Sequence, residues 1–415
     1  MKLSKETIYI NLLCVLCVFY IFGPPINGFP TSINLGMISS LFILFIFILK
    51  LNKNIQVPVM SFKMLVILMM FLLIPLLHSL LFGFLYDLEY EYMTIRMLYF
   101  SFTSFIVSVL FYNSNIGFRT FIVSIMYFIV FNTIITLVMF FVPSLQYYVD
   151  IIVNSSGNIS NYEETLRFRG LTNFEGASLS LMYSFYFLLL GFGWESFRIK
   201  ERKNFLFFSI FVIIAIFLTG RTGLISLIVI GCILLIYFKK LYYLLIFFFL
   251  SSLLLLFSYL AYIGYFSTKI DQVLGFALDP FITLLFVEGE MITSSNQILL
   301  NMLYLPSDTF TLLFGEGAFQ NHSIPSTIYR LSDSGFVRQI FEYGVIITGI
   351  FWGGLFLLSL GLKKEFRKLY LSVLFILFLF NIKQPFIFGP HFYKIITLIY
   401  FISLQRKNTS KKVYI

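Results

Sequence analysis

The chain has 415 residues, of which 59% are hydrophobic and only 12% are charged. A soluble domain carries about twice that charged fraction, so the composition excludes an ordinary water-soluble protein and indicates that the bilayer is the solvent. The net charge of +10 does not indicate nucleic acid binding, because the basic residues form short clusters between apolar runs.

Apolar runs suited to crossing a hydrocarbon core of about 30 Å as helices recur from one end of the chain to the other. We therefore predict an all-α polytopic membrane protein, one integral membrane domain over 1–415 with about twelve transmembrane helices. In chain order the predicted spans are 7–22, 33–50, 62–85, 93–112, 118–142, 174–194, 204–219, 222–238, 241–265, 334–361, 369–383 and 390–404.

Basic residues are concentrated in every second loop between these spans, from Lys2 and Lys5 near the start to Lys411 and Lys412 near the end. By the positive-inside rule, this alternation places both termini in the cytoplasm. The opposite side then receives two long loops, 143–173 and 266–333. The second is apolar enough in parts to predict short interfacial or re-entrant helices.

The most informative feature is a set of arginines on this predicted outer side. Positive charge near apolar surface needs a compensating partner, and a guanidinium binds phosphate through paired hydrogen bonds without losing its charge. The pattern predicts a binding site for a phosphate-bearing ligand. Its members are Arg167, Arg169, Arg221, Arg330 and Arg338.

Arg167 and Arg169 come just before a predicted helix whose first turn has the spacing of a capping box, with Thr172 as N-cap and Glu175 three residues later. The free N–H groups of a helix start also favour anions. Glu175 thus has two interpretations, a helix cap and an acid–base group. The two arginines also have an alternative, which is pairing with the acids at 163–164.

Arg221 lies in the sequence Thr219-Gly220-Arg221-Thr222-Gly223, which joins two spans with almost no loop. Helices on both sides are therefore expected to hold Arg221 at a fixed depth. Its alternatives are ligand binding and snorkelling to lipid headgroups.

The second long loop leads into the tenth span through Ser332 and Asp333, either of which is a credible N-cap. Arg338 lies within that helix, and an i, i+4 ion pair with Glu342 is the alternative to ligand binding. Asp333 and His322 join Glu175 as candidate acid–base groups. Each also has a structural alternative, as a cap or a loop hydrogen-bonding residue.

Other polar residues are given structural interpretations. Asp87, Glu89 and Glu91 precede Arg96 and predict a solvated rim. His78 and His391 lie in or beside spans without companions at metal-ligand spacing. The sequence also has no nucleotide-binding or zinc-binding motif, so we predict no metal and no nucleotide-driven transport.

In its order of spans, its two outer loops and four local motifs, the whole chain resembles the bacterial O-antigen polymerase (Wzy) and O-antigen ligase superfamily. Arg338 and Gly349 also match the polymerase pattern of Arg, ten residues, then Gly. The motifs are Arg169-Gly170-Leu171-Thr172-Asn173-Phe174-Glu175, Leu218-Thr219-Gly220-Arg221-Thr222-Gly223, Phe314-Gly315-Glu316-Gly317, and Ser332-Asp333-Ser334-Gly335-Phe336 running into Glu342-Tyr343-Gly344-Val345.

The resemblance implies a GT-C-like fold in the inner membrane and a polymerase that joins undecaprenyl-pyrophosphate-linked oligosaccharides at the periplasmic face. It implies no cofactor. The five arginines would bind pyrophosphate, and Glu175, His322 or Asp333 would act on the acceptor hydroxyl. Partners would be the lipid-linked oligosaccharides, membrane lipid, a chain-length regulator and a repeat-unit flippase, with no nucleic acid.

Two other functions stay open. A ligase would transfer the finished glycan to the lipid A core. Ligases carry a His-Asn element just before the helix that corresponds to the tenth span, whereas this chain has the reverse order, Asn321-His322, further upstream. A flippase or transporter for lipid-linked sugars would need charged residues along a path through many spans, and the middles of these spans have few.

Overall fold

The computed structural model describes most of the helical chain and leaves out several connections. The longer described stretches are residues 5–24, 34–51, 55–82, 89–142, 176–238, 303–315 and 334–405. Short pieces are described at 144–145, 148–149, 171, 256, 259–260, 262–265, 278, 282, 332 and 412–414.

The described chain is built from helices, because long runs of Leu, Ile and Phe between loop residues satisfy their backbone groups internally in an apolar solvent. In chain order they are α1 (Lys5–Phe22), α2 (Leu35–Leu51), α3 (Val59–Phe82), α4 (Glu89–Asn113), α5 (Phe118–Phe141), α6 (Gly176–Gly193), α7 (Ile199–Thr219), α8 (Arg221–Phe238), α9 (Thr309–Phe314), α10 (Gly335–Leu358), α11 (Lys364–Phe380) and α12 (Pro390–Gln405).

Eleven of these helices overlap predicted spans, and α9 lies within the predicted loop 266–333. The ninth predicted span, 241–265, lies mostly outside the described residues. The protein is an all-α membrane protein. Within the described stretches, seven helices are long and apolar enough to cross a membrane, and α1 and α2 are shorter apolar helices. The seven are Val59–His78, Tyr92–Asn113, Phe118–Phe141, Gly176–Ser196, Ile199–Thr219, Arg221–Phe238 and Gly335–Gly361.

The chain folds as two compact units. Unit 1 comprises Met1–Leu41 and Phe118–Thr293, and unit 2 comprises Phe42–Gly117 and Ser294–Ile415. The prediction of one integral membrane domain stays a prediction, and the loops 143–173 and 266–333 lie largely outside the described part of the chain.

Unit 1 is centred on α6, which packs against α5, α7 and α8. Small residues allow the closest approach: a Cβ on Gly191 would come within 2.5 Å of the Leu234 side chain. The start of α6 meets the start of α8 and the late part of α5, and we call this the site end of unit 1. At the opposite end, Arg119 forms an ion pair with Glu201.

Unit 2 contains α3, α4, α10, α11 and α12, with α4 packed along α12. Its site end is the end at which α3 and α11 finish and α4, α10 and α12 begin. At the opposite end, a short strand β1 (Gln56–Pro58) pairs antiparallel with β2 (Lys412–Tyr414). The C-terminal strand therefore lies beside the start of α3.

Helix α10 is not continuous. Gly344 has φ 71° and ψ 172°, which divides the helix into two segments. A residue other than Gly is strained at such a φ. The predicted span 334–361 is therefore confirmed in extent but contains a break inside it.

Candidate functional site

Two of the eight predicted site residues fall within the described chain. These are Arg221 in unit 1 and Arg338 in unit 2, each at the site end of its unit. Their joint action on one ligand stays a prediction. The other six lie outside the described residues, namely Glu175, His322, Asp333, Arg167, Arg169 and Arg330.

The start of α10 differs from the prediction that Ser332 or Asp333 is its N-cap. The N-cap is Ser334, whose Oγ accepts a hydrogen bond from the Val337 N–H at 3.5 Å. Ser332 supports this cap instead, because its Oγ accepts from the Ser334 N–H at 3.2 Å. The prediction was therefore wrong: the N-cap lies two residues after Ser332 and one residue after Asp333. Three polar residues in succession can each cap a helix, so the sequence alone does not distinguish them.

Arg338 is held against the chain that enters α10. Its Nε donates a hydrogen bond to the Ser332 carbonyl at 2.6 Å, and its side chain is half-buried. The bond fixes the guanidinium beside the N-terminal end of the helix. Free N–H groups and the positive end of the helix dipole are located there, so both features favour an anion at this position.

The end of α9 packs directly on the break in α10, backbone against backbone. A Cβ on Gly315, which has φ 75°, would lie 2.3 Å from the Glu342 carbonyl oxygen. A Cβ on Gly344 would lie 2.2 Å from the Leu313 carbonyl oxygen. Both positions require glycine for backbone conformation and for space. Two motifs that are 27 residues apart in sequence are thus in contact.

Buried titratable side chains surround this contact. Glu342 is fully buried and His78, on α3, is 6% exposed. The His78 ring meets the Tyr343 ring edge-on, with 5.8 Å between centroids, and the Phe314 backbone faces the imidazole. The Tyr343 hydroxyl is 3.3 Å from Thr94 Oγ1 on α4. Ionisable groups inside a membrane bundle are costly and usually functional.

A polar network fixes the first turns of α10 to the end of α11. Gln339 Oε1 accepts hydrogen bonds from Trp352 Nε1 at 3.0 Å and from Asn381 Nδ2 at 3.3 Å. The Gly335 N–H donates to the Asn381 carbonyl at 2.9 Å. These contacts hold the start of α10 in one position, so Arg338 rests on a rigid support.

The tight turn predicted around Arg221 is confirmed, since α7 ends at Thr219 and α8 begins at Arg221. Gly220 has φ 143°, and the Gly223 N–H donates to Ser180 Oγ on α6 at 3.0 Å. A Cβ on Gly223 would lie 2.8 Å from Ser180. The helix start that carries Arg221 is thereby attached to the first turns of α6.

A second polar network anchors a residue near the end of the first long loop. Asn132 on α5 is fully buried, and its Oδ1 accepts a hydrogen bond from the Leu171 N–H at 2.8 Å. Its Nδ2 donates to the Tyr183 hydroxyl at 2.8 Å, which also lies 2.6 Å from Thr136 Oγ1. Tyr183 is one turn beyond Ser180 on α6. Leu171, two residues after Arg169, is therefore attached close to the turn that carries Arg221.

Several residues at the site end of unit 2 were given structural interpretations from sequence. From sequence, His78 and His391 have no companions at metal-ligand spacing, and Arg96 follows the acids that predict a solvated rim. His391 and Lys394 are buried in α12, at 9% and 4% exposure. The sequence feature that could have identified His391 and Lys394 is a polar residue within an apolar run. Among the described residues, no group of three His, Cys, Asp or Glu could hold a metal ion.

Comparison of the chain with protein-family models, with curated proteins and with solved structures gives no match. The structure defines the class as an all-α membrane protein. Its function is therefore inferred from the sequence resemblance together with the geometry at the site ends of the two units.

Proposed function

We propose that this chain is an O-antigen polymerase, a glycosyltransferase that joins undecaprenyl-pyrophosphate-linked repeat units into a polysaccharide. In this proposal the fold is GT-C-like with about twelve spans, in the bacterial inner membrane. Both termini are cytoplasmic and the active site is periplasmic. The two long loops, 143–173 and 266–333, contribute short or re-entrant helices to that site.

The observation that carries the proposal is the contact between motifs on which the resemblance rests. Gly315 packs on the Glu342 backbone, Ser334 caps the same helix, and Arg338 binds the Ser332 carbonyl. Motifs that only stabilise their own helices are not expected to contact one another. Their convergence on the start of α10 supports a common role for them.

The proposed reaction transfers a glycan from one lipid carrier to the sugar of another. The acceptor hydroxyl oxygen attacks the anomeric carbon of the donor, and the bond from that carbon to the pyrophosphate oxygen breaks. The electron pair leaves with the lipid pyrophosphate, and the hydroxyl proton passes to a base. Negative charge develops on the leaving group, so fixed cations near it lower the barrier.

Arg338 suits the leaving pyrophosphate because its guanidinium is oriented before the ligand arrives and lies beside a helix N-terminus. We assign Arg221 to pyrophosphate binding as well, with Arg167, Arg169 and Arg330 as further ligands. Because a guanidinium is permanently charged, the reaction as proposed takes no cofactor.

For the base, the proposed residues remain Glu175, His322 and Asp333, and the structure adds Glu342. Its carboxyl group is fully buried next to the break in α10. A group of this kind can take up a proton during the reaction. The proposed partners are the lipid-linked oligosaccharides, a chain-length regulator and a repeat-unit flippase.

The test is the length distribution of surface polysaccharide in a deletion strain complemented with variants. We expect Arg338→Ala and Arg221→Ala each to reduce long-chain bands to lipid A core plus a single repeat unit, because the pyrophosphate loses a fixed cation. Arg338→Lys should also reduce chain length, since Lys lacks the Nε–H that binds the Ser332 carbonyl. Lys364→Ala, at an exposed position at the opposite end of unit 2, serves as the matched control.

The outcomes separate the candidate functions. Loss of all attached glycan with Arg338→Ala would indicate the ligase. Unchanged banding with both Ala variants, at wild-type amounts of protein in the membrane, would overturn the polymerase and leave a transporter or flippase.

A further inference from the structure

Helix α7 carries an exposed stripe of side chains along one face, with two lysines at its start. Lys203, Phe207, Ile210 and Ile214 follow each other at intervals of three or four residues, which places them on the same face. Phe207 and Ile210 are each 59% exposed and Ile214 is 43% exposed, although all three are large apolar residues. Lys200, one turn before Lys203, is exposed as Lys203 is. In a bilayer such an apolar face contacts the acyl chains of lipids.

The two lysines lie at the boundary of the hydrocarbon. The candidate spans Gly176–Ser196 and Ile199–Thr219 are joined by only two residues, and so short a connection between two crossing helices lies at a membrane face. Within α7, residues 200–203 are all charged and residues 204–219 contain no charge. The lysines therefore precede the apolar part of the helix, and their long side chains can extend into the headgroup layer.

Arg202, in the same turn, is bound to the protein itself. Its Nε donates a hydrogen bond to the Phe197 carbonyl at 3.1 Å, and an NH2 group donates to the Glu195 carbonyl at 3.2 Å. Its Cζ lies 5.4 Å from the centroid of the Trp194 ring, which is a cation–π contact. Tryptophan is enriched at the interface between membrane and water. Arg202 thus fixes the connection from α6 to α7, and with it the turn that presents the lysines.

The acid in this turn is also engaged by the protein. Glu201 lies between the two lysines in sequence, and its Oε1 forms an ion pair with Arg119 on α5. Its Oε2 accepts a hydrogen bond from the Arg198 N–H at 2.8 Å. The charge of Glu201 is therefore compensated on the side of α7 that packs on α5. The lysines on the outer face keep their attraction for an anion from the membrane.

An anionic headgroup beside an apolar tail is the chemistry of a phospholipid. Lys203 and Ile214 are eleven residues apart, a rise of about 16 Å along the helix. One leaflet contributes about half of a hydrocarbon thickness of ~30 Å, so the stripe is as long as one leaflet is thick. We propose that the outer face of α7 binds an anionic membrane phospholipid, with its phosphate at Lys200 and Lys203 and an acyl chain along the apolar stripe.

The inference goes beyond the proposed function, because it does not require that the chain transfer sugars. The start of α7 is also at the opposite end of unit 1 from Arg221, which is assigned to pyrophosphate binding. A failure of one proposal therefore leaves the other standing.

The experiment reads the occupant of the stripe from the fluorescence of a tryptophan placed on it. The full chain with Phe207→Trp is reconstituted into phosphatidylcholine vesicles that contain brominated phosphatidylglycerol, whose bromine atoms quench the indole on contact. Brominated phosphatidylcholine is the reference, and the signal of the two native tryptophans is subtracted. We expect phosphatidylglycerol to bind there at least about tenfold more tightly than phosphatidylcholine, the scale of two cations at a membrane surface.

Phe131→Trp is the positional control. Phe131 is 54% exposed on α5, and its exposed neighbours one turn away, Tyr127 and Ile134, carry no charge. We expect the two lipids to bind with similar affinity at this position. A similar affinity of the two lipids at Phe207→Trp would overturn the proposal.

The charge variants are made together with Phe207→Trp. Lys200→Gln with Lys203→Gln is expected to abolish the preference for phosphatidylglycerol. Lys200→Arg with Lys203→Arg keeps both charges and should keep the preference, which distinguishes a charge effect from a loss of fold. Lys63→Gln with Lys364→Gln removes two exposed cations from unit 2 and is the matched control. A preference that survives the change of both α7 lysines to Gln would overturn the proposal.

A second copy of the chain or a soluble anion at the stripe would give different results. If a second copy covers the stripe, neither brominated lipid quenches the tryptophan of Phe207→Trp, and the lipid assignment fails. If inorganic phosphate abolishes the preference and chloride at the same ionic strength does not, the site binds phosphate without an acyl chain. That result would overturn the lipid assignment as well. We expect neither outcome, because the lysines and the apolar stripe are continuous on one helix face.

Discussion

At the scale of single residues, Asn132 shows how one amide can fix the position of a chain segment that lies 39 residues further along the sequence. It lies within an apolar helix, is fully buried, and uses both ends of its amide, one for the Leu171 N–H and one for Tyr183. A buried amide with both ends bonded positions its partners in one arrangement. Leu171 is thereby fixed to α5 and, through Tyr183, to α6.

We predict that Asn132→Ala loosens the end of the first long loop. The Leu171 N–H loses its acceptor, which costs about 1 to 3 kcal/mol for a buried donor. The expected result is a lower melting temperature in detergent and faster proteolysis within 143–173. Thr136→Val is the matched control, because it removes a hydroxyl from the same network but keeps the bond to Leu171. Equal proteolysis of the two variants would refute the anchoring role.

The sequence could predict which residues lie at the ends of the described spans, but not which side chains meet. Ser101 and Tyr393 are 292 positions apart, and no local pattern connects them. The contact between Lys394 Nζ and the Phe100 ring on α4 is likewise visible only in the structure.

At the scale of elements, the length of the apolar runs was enough to predict where the described spans lie. It was not enough to predict the break inside α10 at Gly344. From sequence, a glycine inside an apolar run cannot be distinguished from any other small residue of a membrane helix. Gly344, Gly349 and Gly353 all lie in the same apolar run. The structure separates them, since only Gly344 of the three has a positive φ and a backbone neighbour within 4 Å. The feature that distinguishes Gly344 is its contact with α9, a segment about thirty residues earlier in the sequence. A local sequence pattern does not reveal such a contact.

We predict that Gly344→Ala impairs folding and activity. Its φ of 71° costs about 1 to 3 kcal/mol for a residue other than Gly. The new Cβ would also lie 2.2 Å from the Leu313 carbonyl oxygen, so α9 must move. Melting temperature and polysaccharide banding are the measurements.

Gly349→Ala and Gly353→Ala are the matched controls in the same helix, because nothing lies within 4 Å of a Cβ at either position. They should be neutral or stabilising by up to about 1 kcal/mol. Gly349 also completes the spacing from Arg338 on which part of the resemblance rests. A loss of activity in Gly349→Ala without a loss of stability would show a role that its steric surroundings do not explain.

At the scale of the whole molecule, composition was sufficient to predict an all-α membrane protein. The order and extent of the described spans followed from the length of apolar runs. The division into two units did not, because it depends on which helices pack together, and helices distant in sequence, such as α4 and α12, belong to the same unit.

The pairing of β1 with β2 places the C-terminal strand and the chain before α3 at one end of unit 2. Both segments belong to loops rich in Lys and Arg, so we predict that both are cytoplasmic. A fluorescent protein fused after Ile415 should therefore fluoresce, and alkaline phosphatase inserted within 143–173 should be active. The reverse pattern of reporter signals would refute the topology.

The contact between Gly315 and the α10 break bears on how such a chain can diversify. The segment between Gly315 and Ser332 has both ends attached to α10, one by backbone packing at Gly344 and the other by the bond to Arg338. The entropy of closing a loop grows only slowly with its length, by about 0.6 kcal/mol for each doubling. The length and sequence of this segment can therefore vary at little entropic cost while both of its ends stay attached to α10.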